Sequence, residues 1–142
     1  MSLYYVRTDS MTQATTTFAP VETAADGSTA GPIAIPPGIK KIRSITTTFA
    51  VNGQITTNTG AILVLRLSGT GALPDGNQEL IIGSVHNNDG GGTLTYTYSE
   101  SLGPNVIPVD ITVNGGADLA LSAAYFGTDP GSPGIQVGIE FE

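Results

Sequence analysis

From Ile107 to Phe141 the chain alternates apolar with other residues almost without a break: Ile107, Val109, Ile111 and Val113, then Leu119, Leu121, Ala123 and Tyr125, then Ile135, Val137, Ile139 and Phe141. A repeat of two is that of a β-strand, whose successive side chains point to opposite faces, and no 3.6-residue pattern competes with it. In the last two runs polar or small residues fill the alternate positions. One sheet face therefore meets a core, and the other meets water or a partner.

The rest of the chain is punctuated in the same way. Pro36-Pro37-Gly38 holds φ twice and then supplies a permissive glycine, a turn that opens the regular part of the molecule. Residues 1–38 before that point are an N-terminal arm or a first pair of strands with a flexible connection, and residues 39–142 are a β-sandwich domain. Lys40 to Val51 reads as a strand ending at a tight hairpin on Asn52-Gly53. Within it Ile42 is out of phase with Ile45, Thr47, Phe49 and Val51, which predicts a β-bulge near Arg43 and Ser44. Ala61 to Ser68 is apolar on both faces except at Arg66, the mark of a central strand. Its partner is expected at Glu79 to His86, across the turn Pro74-Asp75-Gly76-Asn77.

Further strands are predicted at Thr93 to Ser99, with Leu94, Tyr96 and Tyr98 on one face, and at Asn105 to Ile107 between Pro104 and Pro108. Pro108 places that segment at a sheet edge or delays its start. Val109 to Val113, Ala117 to Phe126 and Ile135 to Glu142 complete the set. About eight to ten strands at this spacing pack as two antiparallel sheets, an all-β sandwich, and the number favours a jelly roll. The buried Trp and paired Cys of an immunoglobulin sandwich are absent.

With 142 residues and no cysteine, the chain is long enough to stand on one core without disulfides. Only 12% of its residues are charged, against roughly 25% in an ordinary soluble domain. A surface built from Thr, Ser, Asn and Gly is weakly solvated and suits extensive protein contacts. Net charge is −7, and three of the five basic residues sit together as Lys40, Lys41 and Arg43. One short cluster does not make the basic face that phosphate neutralisation requires, so nucleic acid is excluded as a partner. No apolar run approaches the roughly 18 residues of a membrane span, and Met1 to Arg7 lacks the pattern of an export signal. No membrane partner is expected.

Nothing reaches a catalytic motif, and no enzyme activity or cofactor is expected. The single histidine, His86, reads as a strand-end residue before Asn87-Asn88-Asp89-Gly90, and a zinc site lacks its other nitrogen or sulfur ligands. Calcium is the metal the chain could best accommodate. Asp75, Asn77 and Glu79 alternate along one loop, with Asn88 and Asp89 available from another, but the twelve-residue hand motif is missing. Asp129 reads as a turn residue. Glu140 and Glu142 share a strand face, as a glycosidase pair would, yet no Trp is present to stack a sugar ring. Tyr96 and Tyr98 read as core or cross-strand packing.

In its weakly charged Thr- and Gly-rich surface, residues 1–38, the segment Ile35-Pro36-Pro37-Gly38-Ile39 and the aliphatic C-terminal strand, the chain resembles small structural proteins of viruses, a capsid jelly roll or a decoration protein. The resemblance is one of general features over the whole chain. It implies a virion location and self-association into trimers or higher rings with other virion proteins. Residues 1–38 hold Arg7 against Asp9, Glu22 and Asp26, unlike the basic arms of RNA-packaging coats. Carbohydrate-binding modules and pilus or adhesin subunits are the alternatives.

Overall fold

The computed structural model describes residues 2–8, 12–13, 17–20, 32–55, 59–87, 94–127 and 134–142. Within them the chain forms ten strands: β1 (Ser2–Thr8), β2 (Thr12–Gln13), β3 (Ala19–Pro20), β4 (Ile33–Ala34), β5 (Lys41–Ile55), β6 (Thr59–Ser68), β7 (Gln78–Asn87), β8 (Leu94–Thr112), β9 (Asp118–Gly127) and β10 (Gly134–Phe141). They make two sheets, β1-β10-β5-β8 and β9-β6-β7, and the two-residue strands β2, β3 and β4 line the other edge of β9. Every ladder is antiparallel except the β2–β9 bridge.

The pairings are nested. β6 pairs with β7, β5 with β8, β3 and β4 with β9, and β1 with β10. The chain thus doubles back on itself about the loop between β6 and β7, and the doubled ribbon closes on itself through the β10–β5 and β6–β9 ladders. The product is the antiparallel β-sandwich that the alternation predicts.

A single apolar layer lies between the sheets. Ile42, Ile45, Ile111, Ile135, Val137, Ile139 and Phe141 fill it from one side and Ala61, Leu63, Leu65, Leu67, Leu121, Ala123 and Tyr125 from the other. Ile33 and Ile35 are buried in the same cluster. The alternate residues of β6, Ala61 to Leu67, are all buried, and β6 is flanked by β7 and β9, as expected of a central strand.

The predicted bulge is present. Glu140 faces Ser44 and Phe141 faces Ile42, so Arg43 is the extra residue, and that single insertion lets both Ile42 and Ile45 point into the core. Two other expectations need correction. The chain makes no hairpin at Asn52-Gly53: β5 runs through it, paired to β8 with a register shift between Val51 and Gly53, and the following strand β6 belongs to the other sheet. The turn-forming dipeptide is absorbed as a ladder irregularity because a partner strand lies alongside it. Likewise, the three segments read between Thr93 and Val113 are one strand, β8, which continues through Pro104 and Pro108. β8 sits at the edge of its sheet, where a proline whose missing N–H faces away from the partner removes no ladder hydrogen bond.

One end of the sandwich is locked by backbone contacts. Gly116 N–H donates to the Ile35 carbonyl at 2.7 Å, Asn114 N–H to Ala72 at 3.0 Å and Val113 N–H to Lys40 at 2.9 Å, while the Asn114 side-chain amide donates to the Gly71 carbonyl at 2.6 Å. Gly115 is needed there for its size. A Cβ at that position would lie 2.9 Å from Gly38 N, Ile39 O and Pro36 O. We expect Gly115→Ala to cost about 1–3 kcal/mol, as forced overpacking does, measured as a lowered midpoint in urea; an unchanged midpoint would show that this end yields easily.

Thr47 is the one polar residue in the core of the described residues, and its buried hydroxyl has no hydrogen-bond partner. Thr47→Val keeps the shape and removes the unpaired group, so it should stabilise the fold by about 1 kcal/mol or more, read by the same denaturation. A loss of stability would indicate that the hydroxyl is satisfied.

Candidate functional site

The two sheets present different chemistry outward. On β5 and β10 the outward residues are polar: Ser44, Thr46 and Thr48 on one strand, and Gln136 and Glu140 on the other. On β6 they are Ile62, Val64 and Arg66, the residues that made this strand look apolar on both faces. The register carries the row across neighbouring strands. Ile62 lies between Phe126 and Ser84, Val64 between Ala124 and Ile81, and Arg66 between Ser122 and Glu79.

A bulge in β7 shapes this row. Leu63 faces Gly83 and Val64 faces Ile81, which makes Ile82 the extra residue. Ile82 is buried, whereas its neighbour Ile81 is left 68% exposed on the outer face and Ile62 44% exposed. Val64 and Ala124 also point outward yet are buried. Phe18, just before β3, lies on the same face: its ring is edge-on to Phe126 with centroids 6.3 Å apart and carries the Arg66 guanidinium 3.7 Å above its centre. The small outward residues Ala120, Ser122 and Ala124 of β9 leave room for it. Arg66 is held from its other end by Glu79, whose Oε1 accepts from Nε at 2.9 Å and from Nη2 at 2.6 Å. The sequence signal for this face was the missing alternation in β6; the contributions of Phe18 and Phe126 carried no signal, because they come from distant segments.

A second cluster lies at the start of β5 and the end of β10. Arg43 Nη1 donates to Glu142 Oε2 at 2.6 Å, Ser44 Oγ to Glu140 Oε2 at 3.2 Å, and Lys41 stands 3.7 Å from Asp110. Each carboxylate of the Glu140 and Glu142 pair is thus engaged by a neighbour on β5. The hydrogen bond from Arg43 holds the Glu142 carboxyl below the ordinary carboxylate range. A carboxyl depressed on folding contributes stability above its unfolded pKa and loses it as pH falls through the folded value. Both groups are exposed, so the effect on stability is small. By NMR titration, Glu142 should show a midpoint below that of an ordinary glutamate, and Arg43→Gln should raise it; an unshifted midpoint in the unsubstituted protein would remove this pairing in solution.

Of the calcium candidates, Asp75 and Asn77 are exposed in a turn closed by Gly76 N–H donating to the Leu73 carbonyl at 3.0 Å, and Glu79 is turned to Arg66. Among the described residues no group of three or more His, Cys, Asp or Glu side chains could hold a metal ion. The side chains of His86, Tyr96 and Tyr98, and all of Asn88, Asp89 and Asp129, lie outside the described residues. No protein-family model matches the chain, and no curated protein or solved structure matches it either.

Proposed function

We propose that the chain is a structural virion subunit, a capsid or decoration protein, that acts by self-association through the faces and loops of its sandwich and its N-terminal segment. The observation that carries this reading is the nested pairing: a doubled ribbon rolled into two sheets is the plan of a jelly roll, an architecture used by viral capsid domains. The step from fold to role is an analogy of architecture. A physical reason is added by the outer face of β6, β7 and β9, which keeps large apolar side chains in water although the chain is sparing with charge.

Native mass spectrometry over a range of concentrations tests the proposal. A discrete trimer, pentamer, hexamer or larger ring is expected. A strict monomer at every concentration would overturn self-association and with it the virion role.

A further inference from the structure

We infer that Arg66 is a latch: its contact with Phe18 holds residues 17–20 of the N-terminal segment against the outer face of β6 and β9, and this segment undocks there without unfolding of the sandwich. The inference stands on these contacts and is independent of the self-association reading.

Three observations carry it. First, the segment is thinly attached through its backbone and the core. β3 is two residues long, with Ala19 facing Ala123 and Pro20 facing Ser122, and Pro20 has no N–H to give to that ladder. Phe18 and Ala19 are only partly buried and Thr17 is exposed, whereas Ile33 of β4 and the following Ile35 lie in the core. A short ladder with little burial stands at the low end of local stability.

Second, Phe18 meets the sheet through its ring. The Arg66 guanidinium lies 3.7 Å above the ring centre, where the negative aromatic face attracts a cation, and Phe126 packs against it edge to face. Third, Arg66 is oriented for this contact from its other side. Glu79, its direct cross-strand neighbour on β7, accepts from Nε and Nη2 at 2.9 and 2.6 Å. The planar group thus uses its edge on β7 and keeps its flat face for Phe18, a division that an ammonium group cannot reproduce.

The consequence falls on β9. With residues 17–20 docked, the backbone of Ser122 and Ala123 is flanked by β6 on one side and β3 on the other. Undocking turns that stretch into an open strand edge, a template for pairing with another strand. Arg66 therefore governs how often β9 is open, although it belongs to the neighbouring strand.

Chymotrypsin tests this on the full chain, because it cuts after aromatic residues and the bond after Phe18 lies in the latch itself. Where opening and closing are fast, the cutting rate follows the population of the open form. Cutting after Tyr125, which is buried in β9, reports wider unfolding, and mass spectrometry of the fragments separates the two. We expect Arg66→Ala and Arg66→Lys to raise the rate at Phe18 about two- to thirty-fold, the factor that a cation–π contact represents, with the rate at Tyr125 unchanged. Arg43→Ala, which removes an ion pair on the other sheet, should change neither rate, and the lysine variant serves if Arg66→Ala does not fold. The inference is wrong if the Arg66 variants are cut at Phe18 no faster than the unsubstituted chain, if cutting at Phe18 and Tyr125 rises together, or if Arg43→Ala has an equal effect.

Discussion

The whole structure depends on one apolar layer shared by two sheets. Ile135, Val137, Ile139 and Phe141 of β10 enter it as an unbroken row, and β10 is held on both edges, by β1 and by β5. The chain has no cysteine to staple it. Burial of such rows, worth roughly 1.5–3 kcal/mol for each large aliphatic side chain, must offset the ordering of the chain. That is why the register is rigid: a slip by one residue would turn a whole row outward. The Arg43 bulge shows the constraint at work, since without an extra residue Ile42 and Ile45 could not both face inward.

Where side chains give way to loops, the backbone itself supplies the packing. At the end formed by residues 35–40, 71–73 and 113–117, the last segment exchanges backbone hydrogen bonds with Ile35, Lys40 and Ala72 of the other two. Gly69 contributes in the same region: it has a φ of 141°, and a Cβ there would run into the Asp118 carbonyl. Glycine lets these segments approach more closely than any side chain would allow. A glycine-rich composition is therefore compatible with a firmly closed end.

The contrast between the two outer faces bears on function. Around Ser44, Thr46, Thr48 and Gln136 the surface is hydroxyl- and amide-rich, and its charges, Lys41, Arg43, Asp110 and Glu142, pair with one another. Around Ile62, Val64, Ile81 and Phe126 the surface is apolar and carries one internal ion pair.

Much of this was legible in the residues because it is local. Period-two runs identified β9 and β10, the phase break at Ile42 located the bulge, and the two-sided apolarity of Ala61 to Ser68 marked a central strand and foreshadowed the unusual outer face. Other features were misread for an equally physical reason. Asn52-Gly53 has a strong turn preference on its own, but a neighbouring strand turned it into a ladder irregularity, and the breaks read at Pro104 and Pro108 are continuous strand, although the edge position that Pro108 suggested is the one β8 takes. The sequence by itself determined that the chain is all-β and which side chains of β9 and β10 face its core, since alternation and turn chemistry act between near neighbours. Only the tertiary structure decided which strands pair, that Glu79 holds Arg66 and Phe18 covers it, and which sheet turns its apolar side to solvent, because those depend on contacts between segments far apart in the chain.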